Sequence, residues 1–216
     1  MTQCIKYGWH EQTGRVLHIS EAENGLSCHC HCFECKEKLE AVQGRKKEWH
    51  FRHNSNINCK GGPETALHKL AKQIIAENTQ MVLPGVNLTY KEPKLEQRLE
   101  HFIPDVTVAT EYGNVHIEIR VSHPVDLIKE QFYKDNALPS IEINLNTISF
   151  SITPQELSQL LLNTAKFKHF IYWHPAEKHV LDTHKDTGKN RLLAFFVIAI
   201  TLLAAFQHYI RRGRRF

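Results

Sequence analysis

Clustered cysteines and histidines place the strongest constraint on how this chain folds. Four of its six cysteines fall in the eight residues CHCHCFEC at 28–35, and HFRH at 50–53 and Cys59 follow. Cysteines two residues apart are too close to bridge one another comfortably, so the pattern indicates a metal site rather than disulfides. The first residues contain no basic start followed by an apolar core, and we therefore expect reduced thiols in a cytosolic compartment.

The spacing of these residues predicts a zinc site. Cys32 and Cys35 form a C-x-x-C pair, which brings two sulfurs to one ion from a single tight turn. We predict that His53 and Cys59 complete the tetrahedron. His50 is an alternative to His53, or it packs between its aromatic neighbours. Four protein ligands leave no open position, so the predicted zinc is structural.

Two further cysteines stand just before this pair. Cys28 and Cys30 are either spare or compete for the same ion. The alternative for the whole cluster is a set of reduced structural cysteines that bind no ion.

Residues 1–60 predict a small β-rich module. Short stretches of strand-forming residues occur at 15–19, 39–43 and 47–51, and glycines separate them. This module contains all of the predicted zinc ligands.

A helix is predicted directly after Gly-Gly-Pro at 61–63. Pro63 suits the first turn of a helix, where its missing N–H would have no partner anyway. Apolar residues recur at helical spacing over 64–78. Residues four apart lie on one side of a helix, so Glu64 and His68 can act together.

The segment from 102 to 174 mixes helices and strands, which indicates an α/β or α+β body. Strands at 102–110 and 115–122 flank a tight turn. The remaining predicted elements are helices at 126–136 and 154–163 and strands at 141–145 and 168–174.

Polar side chains alternate with apolar ones along this predicted hairpin. The expected pairing places Asp105 opposite Arg120 and diagonal to Glu118. Diagonal neighbours lie about 7–8 Å apart, so their two carboxylates can share one ion. Hard oxygen ligands suit Mg²⁺, which can polarise a phosphoryl oxygen and activate a water molecule. The alternative is an ordinary solvent-facing side of a strand.

An apolar run near the C-terminus predicts a membrane anchor. Only Thr201 interrupts the apolar residues between 192 and 206. A helix over 192–210 would span about 28 Å, close to the thickness of the hydrocarbon core. We expect a linker at 176–191 before it and a basic tail at 211–216 after it. The alternative is a buried or oligomerising helix.

Net charge does not by itself indicate nucleic acid as a partner. The chain carries a net charge of +4, and four of its last six residues are arginines, so the preceding 210 residues balance to zero. A claim of DNA binding must therefore rest on a site.

Several short motifs follow one another in a recognisable order. They are C-x-x-C at 32–35, HFRH at 50–53, E-x-x-x-H at 64–68, PDV at 104–106, EIRVS at 118–122 and SIEINLN at 140–146. With these motifs the chain resembles the competence protein CoiA-like family over roughly residues 10–175. Asp105 and Glu118-Ile-Arg120, after a helix that carries Glu64, are also similar to the PD-(D/E)XK nuclease core.

The resemblance implies a restriction-endonuclease-like nuclease domain over 61–175, behind a zinc-ribbon-like module over 1–60. Asp105 and Glu118 would bind the catalytic Mg²⁺ or Mn²⁺. Glu64 would complete or steady that site, and His68 would face the same cleft. The alternative for His68 is an ordinary surface or packing histidine.

Arg120 stands where the general nuclease motif has lysine. Arginine stays protonated and cannot act as a base, although it can bind phosphate and stabilise developing negative charge. Lys69 and Lys72, on the helix of Glu64, are candidates to supply the missing ammonium group, and their alternative is ordinary solvated helix surface.

These expectations lead to three functional hypotheses. The first is a Mg²⁺-dependent nuclease that hydrolyses DNA, with a cytoplasmic catalytic body anchored in a membrane through 192–210. The second is a non-catalytic module that binds nucleic acid or protein with a degenerate nuclease fold. The third is a membrane-tethered partner or sensor in which the C-terminal helix is the functional element.

Overall fold

The computed structural model describes residues 4–55 and 59–173, which belong to one compact unit of mixed α+β structure. The elements in chain order are β1 (Tyr7–His10), β2 (Arg15–His18), β3 (Gly25–His31), β4 (Lys38–Val42), β5 (His50–His53), α1 (Pro63–Ala76), β6 (Gln80–Leu83), β7 (Val86–Leu95), β8 (Val106–Thr110), β9 (Gly113–Arg120), α2 (Leu127–Asp135), β10 (Ser140–Asn144), α3 (Pro154–Asn163) and β11 (Lys168–Tyr172).

The first five strands form an antiparallel sheet in the order β2-β1-β3-β4-β5. The strands predicted at 15–19 and 39–43 are present as β2 and β4. The strand predicted at 47–51 instead begins at His50 and ends at His53. The first half of the cysteine-rich stretch, residues 28–31, belongs to β3, a strand that was not predicted from the sequence.

Helix α1 forms as its apolar spacing predicts, from Pro63 to Ala76. Its inward face packs against β7, β8 and β9 and also contacts β1 and β2. Side chains from the first sheet, including Tyr7, Val16 and Phe33, join the same core cluster as the buried face of α1. The helix therefore contributes one hydrophobic surface to both sheets.

The second sheet has six strands in the order β11-β10-β9-β8-β7-β6. Strands β9 and β10 are parallel and are joined through α2, whereas the other neighbours are antiparallel. Helices α1 and α3 contact each other and share the main core cluster. On α2, the fully buried Tyr133 stacks on His116 of β9, with ring centroids 5.7 Å apart.

The predicted β8–β9 hairpin is present, but its register differs from the prediction. Val106 pairs with Ile117 and Thr107 with His116. One step further along this ladder, Asp105 lies beside Glu118 rather than opposite Arg120. The turn uses Glu111 and Tyr112, one position earlier than expected, which shifts every cross-strand neighbour by two residues.

Strand β9 is also more deeply buried than an alternating pattern suggests. His116 and Glu118 are nearly as buried as Ile117 between them, because β9 lies between β8 and β10 and is covered on both faces. The interpretation of its polar side chains as an ordinary solvent-facing surface is therefore wrong.

The predicted linker at 176–191, the apolar helix at 192–210 and the basic tail at 211–216 lie outside the described residues. Within the part of the chain that the structure describes, none of the helices is both long and apolar enough to cross a membrane.

Candidate functional sites

Four side chains converge at one end of the first sheet. The ligand atoms of Cys32, Cys35, His53 and Cys59 all lie within 4.8 Å of one another. The Sγ atoms of Cys32 and Cys59 are 3.6 Å apart. Two sulfurs at about 2.3 Å from a tetrahedral zinc would be about 3.8 Å apart, so the spacing fits this ion.

The backbone brings these residues together from three separate segments. Cys32 directly follows β3, and the chain turns back at once, with Lys36 N–H bonded to the Cys32 carbonyl at 3.2 Å. His53 is the last residue of β5, and Cys59 lies shortly before α1. A ligand set of this kind ties two strands and a helix start to one point.

His53 provides an independent test of whether an ion fits. Its Nε2 atom is buried and has no hydrogen-bond partner in the described structure. A buried polar atom without a partner costs free energy, and a neutral imidazole nitrogen is a favoured zinc ligand. An ion between His53 and the three sulfurs would satisfy this atom.

Backbone N–H groups point at two of the sulfur atoms and would stabilise negative charge on them. The N–H of Glu34 points at the Cys32 Sγ at 3.4 Å, and the N–H of Gly61 points at the Cys59 Sγ at 3.3 Å. Burial and the neighbouring thiols raise the pKa of Cys59 to about 12. A bound cation would favour the thiolates, which are the species that ligate zinc. The four residues can therefore hold a metal such as zinc.

The other candidates near this cluster have different roles. Cys28 and Cys30 point into the core of the first sheet, where their Sγ atoms contact the carbonyls of Leu39 and Cys28 at 3.2 and 3.1 Å. The His50 Nδ1 bonds the Glu48 carbonyl at 2.8 Å, and His50 is not part of the metal cluster. The alternating Cys-His-Cys-His pattern is thus largely the inward and outward alternation of a strand.

A second group of polar residues surrounds Asp105, immediately before β8. Its carboxylate accepts hydrogen bonds from the backbone N–H of Ile119 at 2.8 Å and from His68 Nε2 at 2.9 Å, and Lys72 Nζ lies 3.4 Å away. Burial would raise the pKa of Asp105, but His68, the Ile119 N–H and Lys72 together hold it below its ordinary value. Asp105 is therefore ionised and firmly held.

Glu118 is held by a different helix. Its carboxylate accepts from Tyr133 OH at 2.5 Å and pairs with Lys129 Nζ at 2.6 Å. Burial raises the pKa of Glu118, and Lys129 and Tyr133 only partly offset this effect. Lys129 also donates to the Ile103 carbonyl at 2.8 Å. The ammonium group is thus placed between the second carboxylate and the segment that leads to Asp105.

Sequence reasoning missed Lys129 and Tyr133. The signal was present, because the two residues are four apart on the predicted helix at 126–136 and so share one side of it. Only the packing of α2 against β9 shows that this side meets Glu118.

Glu64 and His68 line one small cavity of about 230 Å³. Ser122 Oγ donates to the Glu64 carboxylate and contacts His123 Nδ1 at 2.7 Å. Ile119 and Val121 form part of the wall. The cavity therefore lies beside the end of β9. Asp105 does not line it but is hydrogen-bonded to His68, which does.

Arg120 and Glu118 lie on the other side of β9. Side chains alternate along a strand, so these two residues point away from Ile119 and Val121. Arg120 Nη1 lies 3.9 Å from Glu142 on β10, and its buried Nε has no hydrogen-bond partner in the described structure. Helix α1 thus contacts Asp105 through His68 and Lys72, α2 contacts Glu118 through Lys129 and Tyr133, and Arg120 faces Glu142.

Glu142 is a further buried carboxylate that the sequence did not single out. It lies next to Glu118 in the parallel register of β9 and β10. Its partners are the N–H of Val125 at 3.1 Å and His169 Nε2 at 3.4 Å. Its signal was the alternation of polar and apolar residues in SIEIN.

The only group of three or more close metal-ligating side chains in residues 4–55 and 59–173 is the Cys/His cluster. Asp105 and Glu118 therefore form no such group with a third ligand among these residues.

Neither protein-family models, nor curated proteins, nor solved structures contain a match to this chain.

Proposed function

We propose that this chain is a metal-dependent nuclease that hydrolyses phosphodiester bonds in DNA. The observation that carries the proposal is the proximity of two carboxylates at the open end of the β8–β9 hairpin. Asp105 is partly buried and directly precedes Val106, which pairs with Ile117, and the buried Glu118 directly follows Ile117. Buried ionisable groups with specific charge partners cost stability and are concentrated at functional sites. The order of motifs that resembles the CoiA-like family and the PD-(D/E)XK core supports the same reaction.

The proposed chemistry needs a divalent ion, Mg²⁺ or Mn²⁺, at these two carboxylates. Their hard oxygen atoms fit such an ion, which would acidify a water molecule and polarise a phosphoryl oxygen. In this structure the Lys72 Nζ neutralises Asp105 from 3.4 Å, and the Lys129 Nζ neutralises Glu118 from 2.6 Å. Each ammonium group can turn to a substrate phosphate instead.

The remaining residues have distinct roles in this proposal. His68, bonded to Asp105, orients that carboxylate, and Glu64 lines the same cavity as His68. Arg120 cannot remove a proton but can stabilise the negative charge that develops on phosphorus-bound oxygens. Lys129 supplies the ammonium group of the lysine that the general motif has where this chain has Arg120.

A non-catalytic binding module is the second candidate. Two observations favour it: both carboxylates already have cationic partners, and Arg120 replaces the motif lysine. A fold of this kind would bind nucleic acid or protein without cutting it. The Cys/His cluster would serve as a structural zinc site in either case.

We also propose that residues 192–210 tether the protein to a membrane, with the catalytic body in the cytoplasm. A chain truncated after residue 188 should move from the membrane fraction to the soluble fraction. An unchanged distribution would contradict the tether.

A cleavage assay tests the proposed activity. Purified protein with Mg²⁺ or Mn²⁺ should cut single- or double-stranded DNA, and Asp105→Asn and Glu118→Gln should each reduce the rate at least 100-fold, because each removes one ionic ligand. Glu130→Gln is a matched control, since Glu130 pairs with Lys134 on the outer side of α2. Equal cleavage by all variants would exclude this site, and binding without cleavage would favour the second candidate.

A further inference from the structure

A half-buried tryptophan lies on the surface between the Cys/His cluster and Asp105. Trp9, on β1, packs edge-on against Phe33 with ring centroids 6.3 Å apart. Lys69 of α1 places its Nζ over the Trp9 ring at 5.6 Å from the centroid. An aromatic ring and a lysine in contact at an open surface are the components of a binding site for unpaired nucleotides.

Two adjoining cavities share Trp9 and Lys69. One, of about 290 Å³, extends past Val16 to Leu95 and Lys72. The other, of about 240 Å³, extends over Phe33 to His31 and Lys36. Together they form a groove along α1, which we call the Trp9 groove, and both apolar and cationic side chains line it.

The charge of the Trp9 groove favours a polyanion. Four cations line it, Arg15, Lys36, Lys69 and Lys72, against two carboxylates. Those carboxylates are already bound, Glu77 to Arg15 at 2.9 Å and Glu96 to Lys72 at 2.6 Å. Lys36 and Lys69 therefore give the groove an excess of positive charge.

One end of the groove leads to the proposed active site. Lys72 lines the first cavity, and its Nζ also lies 3.4 Å from Asp105 Oδ1. A DNA strand that follows the groove past Lys72 would therefore arrive next to the Asp105 carboxylate. The opposite end reaches Cys32, so the metal cluster holds the far wall in position.

We infer that the Trp9 groove binds single-stranded DNA, with an unpaired base stacked on Trp9 and phosphates bound by Lys69 and Lys36. A base inside a duplex has both faces covered by its neighbours and cannot use the ring, so the groove selects unpaired strands. This inference rests on the proposed function in taking nucleic acid as the ligand, and it adds the substrate class and the binding residues.

Binding is tested separately from cleavage, by fluorescence anisotropy of a labelled single-stranded oligonucleotide and of its duplex without added Mg²⁺ or Mn²⁺. The single strand should bind at least tenfold more tightly. Trp9→Leu should weaken its binding roughly tenfold through lost stacking. Lys69→Gln should weaken it and reduce the salt dependence by about 0.7 in the log–log slope.

Matched variants separate stacking from folding. Trp9→Phe keeps an aromatic face and should retain most of the affinity, whereas Trp9→Leu should not, although both keep an apolar side chain against Phe33. Trp49→Leu changes an exposed tryptophan that does not line the groove, and Lys166→Gln breaks a second lysine–aromatic contact, at Phe167. Both control variants should bind within twofold of the unaltered protein.

Two results would overturn the inference: duplex bound as tightly as single strand, or Trp9→Leu no weaker than Trp49→Leu. The proposed nuclease activity is judged independently by Asp105→Asn, which should bind the single strand but not cut it. Trp9-dependent binding without any cleavage would retain the groove and reject the nuclease. Cleavage that neither Trp9→Leu nor Lys69→Gln changes would retain the nuclease and reject the groove.

Discussion

His53 shows most directly what one residue contributes to the metal cluster. Its Nε2 is buried without a hydrogen-bond partner in the described structure, and a nitrogen of its ring lies within 4.8 Å of three sulfurs. In a metal-free protein this unpaired buried nitrogen would lower the free energy of unfolding, whereas in a zinc protein it would serve as a ligand. A single measurement can therefore decide between the zinc site and a set of reduced cysteines.

We predict about one zinc per chain in the purified protein. His53→Ala and Cys59→Ser should each lose most of it, because three ligands hold zinc less tightly than four, and the melting temperature should fall with it. Elemental analysis and thermal unfolding with and without chelator check this. Cys28→Ala is the control and should keep its metal. Metal-free protein that is indifferent to chelator would contradict the prediction.

Lys129 is the residue on which Glu118 most depends. Without it, a buried carboxylate remains with only Tyr133 as a partner. Breaking a buried ion pair from one side costs about 3–5 kcal/mol, so Lys129→Met should strongly destabilise the protein near pH 8. The free energy of unfolding from denaturant titrations measures this.

The loss should also depend on pH, and the sign follows from the raised pKa of Glu118. The folded state then holds this proton more tightly than the unfolded state, so stability falls as pH rises above the ordinary glutamate value of about 4.3. Lys129→Met should raise the pKa further and enlarge this fall. Lys134→Met, at an exposed pair, should change stability by less than about 1 kcal/mol. An equal loss at pH 5 and pH 8 would exclude the mechanism.

At the level of single elements, the start of α1 depends on Gly62. Its φ of +57° lies in the left-handed region that favours glycine, and a Cβ there would come within 3.2 Å of the Glu34 backbone nitrogen. Glu34 lies between Cys32 and Cys35. This glycine therefore lets the helix begin directly against the metal-binding turn.

Gly62→Ala should lower the free energy of unfolding by about 1–3 kcal/mol and weaken zinc retention, because the added atom strains the backbone and pushes on this turn. Gly85→Ala is the matched control. Gly85 also has a positive φ, of +77°, but open space around its Cβ position, so only the strain remains. Denaturant titrations and zinc competition measure both effects. Equal losses for the two variants would show that contact with Glu34 is unimportant.

The β8–β9 hairpin shows how far an element can be predicted from sequence. Its strands and turn follow from alternation and a glycine, but the register depends on which two residues form the turn. An error of one position there moved the expected neighbour of Asp105 from Glu118 to Arg120. Local sequence does not fix that position, since the packing of β9 between two other strands selects the register.

At the scale of the whole molecule, α1 joins the two sheets. Its buried face shares one core cluster with Tyr7, Val16 and Phe33 of the first sheet and with the strands of the second. Zinc would add a second connection, because Cys59 lies close to the start of α1. The two sheets should therefore depend on each other for stability.

We predict that the zinc-bound protein unfolds in a single cooperative transition, since the buried face of α1 shares one core cluster with residues of both sheets. Far-UV and near-UV circular dichroism and calorimetry should give coincident midpoints. Zinc removal should lower the midpoint of the whole transition rather than produce an early partial one. Two separated transitions would indicate independent sheets and contradict the shared core.

The sequence by itself determined the mixed α+β class, the bounds of α1, α2 and α3 to within two residues, and the three cysteines of the Cys/His cluster, whereas the choice of His53 over His50 came from the structure. Each follows from local rules: apolar spacing, helix-start residues and the spacing of ligands along the chain. Only the tertiary structure decided that Glu118 is buried against Lys129 and Tyr133, that Glu142 lies beside it, and that Trp9 meets Lys69. Those contacts join residues from different elements, and packing rather than local preference brings them together.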